Sequence, residues 1–289
     1  MVNKHPRLEA AREFIDLNLD SDLDVEGLSR VACLSKYHFH RQFSSFYGIS
    51  VANYVRLLRL KKASYLLVYK PQMSVTEIAL DCRYENSESF SRAFRRVFEL
   101  SPSEFRVSPD WEKWGNHFEA IYRLRSDPKM NADDFDVSII HFDSTDIAVI
   151  EHQGVPIQIG ESVAKFREWR KSQNISYKQT RIFNIFYDNP DDLDDASLFR
   201  VDIGCLYEDK MDLSCGFIKK KTIPGGRFAK VRFVGSSDSI GMVVRYLYER
   251  WLPASGERLR DYPVTLERVS FFPFVPEPEA ITDILLPIE

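Results

Sequence analysis

Two arginines, Arg41 and Arg92, occupy equivalent places in two similar stretches of the sequence. The first stretch, "YHFHRQFSSFYGIS", covers residues 37–50, and the second, "SFSRAFRRVFELSPSEFR", covers residues 89–106. A guanidinium on an exposed helix surface can donate two parallel hydrogen bonds to the O6 and N7 atoms of a guanine. This chemistry indicates two sites that read nucleic acid, each built in the same way.

The phenylalanines around these arginines predict the helices that hold them. Phe90, Phe94 and Phe98 recur every four residues, which is typical of a helix with one buried stripe, while Arg92 falls on the opposite face. A shift of 51 residues repeats the pattern. It places Phe39, Arg41, Phe43, Ser50 and Tyr54 over Phe90, Arg92, Phe94, Ser101 and Phe105. We therefore predict these phenylalanines as core residues, and a capping box from Ser101 to Glu104 at the start of the next helix.

A short helix and a tight turn precede each of these amphipathic helices. The segment "VEGLSRVACLS" (25–35) parallels "VTEIALDCRYENS" (75–87), so the sequence predicts a helix-turn-helix unit used twice. Between the units, "VANYVRLLRLKKASYLLVY" (51–69) predicts one unbroken helix of roughly 28 Å. Successive major-groove faces of DNA lie about 34 Å apart, so this rod would hold the two units near one turn apart.

The segment "IALDCRYENSESFSRAFRRVFELSPSEFR" (78–106) resembles the signature of the AraC/XylS family of transcription regulators. The resemblance extends over about residues 7–108 and implies an all-α, double helix-turn-helix DNA-binding domain at 1–108. In that family the second helix of each unit enters a major groove. The implied DNA contacts are Ser35, Lys36, Tyr37, His38, His40 and Arg41 in the first unit, and Asn86, Ser87, Glu88, Ser91, Arg92, Arg95 and Arg96 in the second. Asn86 is also expected to cap its helix.

Three features of these units depart from the family or allow another interpretation. Cys33 and Arg83 stand where the family usually has glycine in a turn with positive φ, so each turn must tolerate a side chain. Glu88 could accept a hydrogen bond from a cytosine amino group, or repel wrong sequences. His38 and His40 could suggest a metal, but side chains two residues apart diverge on a helix, and no metal is expected.

The charge distribution separates two halves of the chain. Residues 1–108 carry a net charge of +3 and residues 30–108 alone +7, whereas the remainder carries −7. A basic half beside an acidic half is typical of one nucleic-acid-binding domain joined to another kind of domain. Four scattered cysteines, no 18-residue apolar run and no secretory signal pattern lead us to expect a cytoplasmic protein without a membrane span.

The second half of the sequence also repeats itself. With a shift of 81, "AVIEHQGVPIQIGESVAKFREW" (148–169) lies over "AKVRFVGSSDSIGMVVRYLYER" (229–250). Each copy reads as a strand, a glycine turn, a helix and two strands, with later strands expected at about 182–187, 199–207, 264–271 and 282–288. This predicts an α+β domain of two pseudo-twofold halves, (βαββ)2, at 137–289, with a cleft between them and a connector at 109–136.

This half resembles the GyrI-like effector-binding domains. The matching segments are "IAVIEHQG" (147–154), "FYDNP" (186–190), "PGGRFAKVRFVG" (224–235), "RWLPASG" (250–256) and "DILLPIE" (283–289). The resemblance implies a cleft for organic, often cationic or amphipathic molecules, with Glu267 as its acidic residue. Strand alternation places Glu267 on one face with the apolar Val269 and Phe271, where an unpaired carboxylate either protonates or awaits a cation. Tyr187, Trp169, Tyr207 and Phe271 are the expected aromatic walls.

Other interpretations of these residues stay open. Glu267 could form an internal salt bridge, and Trp169 could belong to the core. The acidic segment "DNPDDLDDA" (188–196) lacks the glycine and final glutamate of a calcium loop, so a solvated loop is expected.

Taken together, these patterns predict a transcription regulator, an activator with a small-molecule sensing domain, rather than an enzyme. Its expected partners are double-stranded DNA and a small-molecule effector, with RNA polymerase as a further candidate, and no cofactor is expected. Two alternatives give the second domain another role. One is hydrolysis of xenobiotics by Glu267 with Tyr187, and the other is binding of a protein partner.

Overall fold

A computed structural model describes residues 5–125, 135–189 and 193–289. Residues 126–134 of the expected connector and residues 190–192 of the acidic segment lie outside this description. The chain divides into two compact units, Met1–Leu124 and Arg125–Glu289. No helix among the described residues combines the length and the apolar character that crossing a membrane requires.

The first unit is built from helices. They are α1 (Pro6–Leu17), α2 (Val25–Val31), α3 (Lys36–Tyr47), α4 (Val51–Tyr69), α5 (Val75–Asp81), α6 (Ser87–Phe98), α7 (Pro102–Val107) and α8 (Trp111–Arg125). The rod predicted at 51–69 is confirmed as α4, and each helix-turn-helix unit appears as predicted, α2 with α3 and α5 with α6. Polar side chains cap most of these helices, and Ser101 with Glu104 forms the predicted capping box at α7.

One aromatic core holds the first unit together. Phe39, Phe43, Phe90, Phe94 and Phe98 are all buried, as the periodicity predicted. Burying a phenylalanine side chain contributes about 2–3 kcal/mol, so these rings anchor α3 and α6 firmly. The core extends into α8, where three further aromatic side chains are buried, namely Trp111, Trp114 and Phe118. Residues 111–124 of the expected connector therefore lie in a helix that packs on the first unit.

The second unit is an eight-stranded antiparallel sheet with helices. The strands are β1 (Val137–Phe142), β2 (Thr145–Gln153), β3 (Ile182–Phe186), β4 (Arg200–Leu206), β5 (Ile218–Ile223), β6 (Gly226–Val234), β7 (Val264–Ser270) and β8 (Ile281–Pro287). The helices are α9 (Ile159–Ser172), α10 (Ile240–Tyr246) and α11 (Leu252–Ser255), with a π-helical turn, Leu247–Trp251, joining the last two. The four later strands fall within one residue of their predicted bounds.

The strand order is β1-β6-β8-β7-β3-β4-β2-β5, which is symmetric about the β7–β3 pair. Gly154 and Gly235, equivalent in the repeat, share a φ of +148°, a value that favours glycine. Each half begins with one strand more than predicted, so the pattern is ββαββ rather than βαββ. β1 and β5 each pair with the other half, at the two edges of the sheet. The sequence pattern did not predict β5 because the strand contains three consecutive lysines. An edge strand tolerates such charge, whereas a central strand would not.

The two faces of the sheet differ. α9 and α10 pack on one face, which we call the helix face. The other face carries a separate apolar cluster without helical members among the described residues, and we call it the open face. Its buried residues are Phe142, Ile147, Val149, Phe183, Ile185, Ile223, Phe228 and Leu285.

Candidate nucleic-acid interface and effector face

The predicted DNA contacts of the first helix-turn-helix unit lie at the start of α3. Ser35 caps this helix by accepting a hydrogen bond from the His38 amide at 3.4 Å, while Phe39 and Phe43 bury the opposite side. The exposed residues are Ser35, Lys36, Tyr37, His38, His40 and Arg41. The Tyr37 side chain is 78% exposed, unusual for so large a ring. The helix thus presents a polar, basic first turn on a rigid apolar base.

The second helix-turn-helix unit repeats this arrangement on α6. The predicted cap is confirmed, because the Asn86 side chain accepts from the Ser89 amide at 2.8 Å. The exposed residues are Asn86, Glu88, Arg92, Arg95 and Arg96, whereas Ser87 and Ser91 are half-buried. The structure therefore places the predicted contacts Asn86 to Arg92 on the first half of α6, whereas Arg95 and Arg96 lie in its last turn.

Glu88 and Arg92 face each other one turn apart on α6. Their closest oxygen and nitrogen atoms lie 3.7 Å apart, and the side chains are 85% and 70% exposed. An ion pair this exposed contributes at most about 1 kcal/mol, so Arg92 can leave Glu88 for a base edge at little cost. Glu88 also lies near the positive end of the helix dipole, which favours its charge.

The two inter-helix turns keep a left-handed backbone although neither has a glycine there. φ is +51° at Cys33 and +62° at Arg83. The amides that follow close both turns alike, from Leu34 to the Ser29 carbonyl at 3.0 Å and from Tyr84 to the Ala79 carbonyl at 2.9 Å. A side chain in this conformation costs about 1–2 kcal/mol.

In the second unit, Glu267 is not the unpaired carboxylate that strand alternation predicted. Arg181 donates to it twice, from Nε to Oε1 at 2.7 Å and from Nη2 to Oε2 at 2.8 Å. The alternative of an internal salt bridge is what the structure contains. The bonds to Glu267 raise the pKa of Arg181 above its ordinary value.

The Arg181 guanidinium also lies over two aromatic rings of the open face. Its central carbon is 5.0 Å from the ring centroid of Phe183 and 5.4 Å from that of Phe142. A carboxylate beside aromatic faces is a favourable environment for an organic cation, and here the chain's own arginine occupies it. A cavity of about 240 Å³ adjoins the pair, with His141 and Lys230 in its lining.

Three of the four predicted aromatic walls lie on the helix face, away from Glu267. Trp169 is buried in the α9 cluster, and Tyr207 and Phe271 pack against the same cluster. The prediction that these three rings surround Glu267 is therefore wrong, and for Phe271 the physical reason is visible in β7. A bulge between Arg268 and Ser270 breaks the alternation of β7, so Phe271 turns to the opposite face.

Tyr187, the fourth predicted wall, is engaged elsewhere on the open face. Its hydroxyl donates to Oδ2 of Asp202 at 2.7 Å, and Lys221 lies 2.7 Å from the same oxygen. Burial and the bond to Asp202 raise the pKa of Tyr187. Glu267 pairs in register with Phe183, four residues before Tyr187, so the two side chains are separated by roughly 13 Å along the strand. The hypothesised Glu267–Tyr187 catalytic pair is therefore not assembled.

Sequence reasoning missed two nearly buried carboxylates at equivalent places of the repeat, Asp202 and Asp283. Arg232 donates to Asp283 at 2.7 and 2.8 Å, and Lys230 lies 2.6 Å away. Burial opposes the charged form, but these cations outweigh it and lower the pKa of Asp283. The signal was present, because the shift of 81 places "RVDIGCL" (200–206) over "ITDILLP" (281–287) with the aspartates aligned.

Comparison with known proteins agrees with both halves of this description. Residues 135–289 match the GyrI-like small molecule binding domain family, and residues 28–108 match a helix-turn-helix domain family. The chain is 35% identical over 155 residues to the probable transcriptional regulator YgiV of Escherichia coli (strain K12), covering 53% of this chain and 96% of that protein. It is 30% identical over 102 residues to the right origin-binding protein of the same strain, covering 35% of each. The crystal structure of the EcmrR C-terminal domain superimposes with a TM-score of 0.44 at 16% identity, covering 54% of this chain and 98% of that one.

The fold, the exposed polar residues of α3 and α6 and the two family matches define a class, the DNA-binding transcription regulators that carry a small-molecule-binding domain. Within that class, the chain belongs to the GyrI-like family through its second half, joined to an AraC-type helix-turn-helix region. The resemblance to both families is thus confirmed.

Proposed function

We propose that this protein is an effector-responsive activator whose α3 and α6 bind neighbouring major grooves of one DNA site. The observation that carries the proposal is the equivalent exposure of Arg41 and Arg92, each on a helix anchored by buried phenylalanines. Each arginine would bind a guanine, while the residues at the helix ends hold phosphates.

The length of α4 supports a specific geometry for the DNA. A helix of 19 residues spans roughly 28 Å, which is shorter than the 34 Å or so between successive major-groove faces. Both helices can bind in full only if the DNA curves toward the protein. The proposed complex therefore contains bent DNA, and its preferred site includes a deformable step between the half-sites.

We further propose that the effector binds the open face and competes with Arg181 for Glu267. The effector would be an organic cation with an aromatic or other flat apolar part, since Glu267, Phe142 and Phe183 already accommodate a flat cation. The cationic effector would take the place of the Arg181 guanidinium, so the charge of Glu267 would stay balanced. No catalytic step is assigned to the protein, because the hydroxyl of Tyr187 and the carboxylate of Glu267 each serve another partner.

Selection of binding sequences from a random DNA pool tests the first part of the proposal. The full chain is expected to enrich a bipartite site with two guanine-containing half-sites about one helical turn apart. Enrichment of a single half-site, or of no sequence, would contradict it. Transcription from a promoter carrying the selected site, with purified RNA polymerase, then distinguishes activation from repression.

A further inference from the structure

The loop between α1 and α2 is tied to the second helix-turn-helix unit by charged contacts. The Asp20 carboxylate binds Lys62 Nζ of α4 at 2.6 Å. The carbonyl of the same residue accepts a short hydrogen bond from Nε of Arg83, which lies in the turn between α5 and α6. Arg59 of α4 adds a bond to the Ser21 carbonyl at 2.9 Å. The short loop between α1 and α2 therefore contacts both α4 and the turn that precedes α6. We call α3 and α6 the reading helices.

Lys62 extends this connection to the end of α5. Its Nζ lies 2.9 Å from Oδ2 of Asp81 and donates to the Asp81 carbonyl at 3.1 Å. Burial opposes the ammonium, but the hydrogen bonds with Asp20 and Asp81 outweigh it and raise the pKa of Lys62. Lys62 therefore remains charged at neutral pH and holds two acidic residues that are 61 positions apart in the chain.

The packing beside these contacts is open. A cavity of about 250 Å³ lies next to them, with Leu28 of α2, Val55 of α4 and Arg83 in its lining. Close-packed side chains resist relative motion of helices, and an open cleft does so much less. The polar contacts are therefore well placed to limit how the first helix-turn-helix unit moves relative to the second helix-turn-helix unit.

We propose that Asp20, Lys62 and Arg83 form a clamp that sets the distance and angle between α3 and α6, and with them the half-site spacing that the protein accepts. These are positioning residues, since they act through the two reading helices. The inference rests on the proposed function, because it requires that both helices bind one DNA site.

The repeat supplies a matched control for the clamp. Cys33 is the equivalent of Arg83 in the first unit, and both residues have positive φ. Glycine at either position removes the left-handed strain. Only Arg83→Gly removes a bond to Asp20, because the nearest polar contact of the Cys33 thiol is the Val31 carbonyl at 4.0 Å, within its own turn.

The experiment measures the affinity of the full chain, at one salt concentration, for the selected bipartite site and for sites lengthened or shortened by one base pair. For the wild type and for Cys33→Gly, a change of one base pair is expected to weaken binding roughly tenfold, because the deformation is forced onto the DNA. For Arg83→Gly, and for Lys62→Met as a second variant, the same change should weaken binding roughly threefold or less. Circular dichroism melting verifies that each variant is folded.

The outcomes separate the clamp from the function on which it rests. A wild-type protein with no spacing preference would refute the two-helix binding mode itself. A wild-type preference that persists unchanged in both Arg83→Gly and Lys62→Met would refute the clamp alone. An equal loss of preference in Cys33→Gly would also refute it, because that variant keeps every clamp contact.

Discussion

Arg181 and Glu267, 86 residues apart in the chain, meet in a two-point ion pair on the open face of the sheet. The arginine immediately precedes β3, and the glutamate lies on the neighbouring β7. The pair is partly accessible, with side chains 44% and 19% exposed. An ion pair at the surface is weak, so another cation can replace Arg181 beside Glu267. The first prediction depends on this replacement.

Arg181→Met is expected to strengthen binding of a cationic aromatic dye, such as ethidium in the absence of DNA, by roughly fivefold. That factor corresponds to about 1 kcal/mol for the competing ion pair. Glu267→Gln should weaken the same binding. Isothermal titration calorimetry measures both effects. Arg227→Met is the matched control, because Arg227 pairs with Glu257 in two bonds at almost the same exposure. An equal gain in both arginine variants would contradict competition at Glu267.

Arg92→Ala and Arg41→Ala are each expected to lose about 1–3 kcal/mol of specific binding and to relax one base position, in opposite half-sites. The reason is the loss of a bidentate contact with guanine. Sequence selection repeated on each variant is the measurement. Lys113→Ala removes the same charge from α8, where Lys113 pairs with Glu99, and should leave the base preference unchanged. Retention of the wild-type preference in Arg92→Ala would show that Arg92 does not read a base.

Glu88→Gln is expected to raise affinity for random-sequence DNA and to narrow the ratio of specific to non-specific binding. The Glu88 carboxylate lies 3.7 Å from Arg92, with which it pairs, and it would repel phosphates. The neutral glutamine removes both the pairing with Arg92 and the repulsion of phosphates. Competition binding at two salt concentrations measures the ratio. A fall in affinity confined to one base position would instead show that Glu88 accepts a hydrogen bond from a base.

Two of the four cysteines are expected to react rapidly with Ellman's reagent in the native protein, and all four after denaturation. Cys33 and Cys215 are exposed, whereas Cys82 and Cys205 are buried. Burial raises the pKa of Cys82 to about 12 and that of Cys205 to about 11, so their reactive thiolates are scarce. Specific DNA should slow labelling of Cys33, which lies two residues before Ser35, the N-cap of α3. It should leave the labelling of Cys215 unaffected. Equal protection of both cysteines would contradict the proposed DNA surface.

Asp283→Asn is expected to lower the free energy of unfolding at pH 7 by roughly 2 kcal/mol, because the nearly buried carboxylate loses its charged hydrogen bonds with two partly exposed cations. The pKa of Asp283 is lower in the folded than in the unfolded chain. Its contribution is therefore complete above about pH 4, the ordinary aspartate value, and is lost as pH falls through the folded pKa. Urea denaturation between pH 3 and pH 7 should show the wild type and Asp283→Asn converging toward acid. A constant difference across that range would show that the carboxylate charge does not stabilise the fold.

Much of the first unit could be predicted because its signals are local. The stripe of Phe90, Phe94 and Phe98 defines a buried helix face, and the echo of that stripe 51 residues earlier marks the second copy. Caps such as Ser101 depend on a neighbour three residues away. A helix period, a cap and a turn are all completed within a few residues, so the order of residue types is enough to specify them.

The open face could not be predicted in the same way. Alternation along β7 placed Glu267 and Phe271 together, but a bulge separated them, and a bulge depends on how the neighbouring strand pairs. The exchange of β1 and β5 between the halves depends on pairing across the whole domain.

The sequence by itself determined the two reading helices, the rod between them, the duplicated sheet domain and the families to which both halves belong. Only the tertiary structure decided that Arg181 occupies the carboxylate of Glu267 and that Asp20 meets Arg83, 63 residues away. The physical reason is the range of the interactions. Periodicity encodes which face of an element is buried, whereas the partner of a charged side chain depends on which distant segment the completed fold brings within 3 Å.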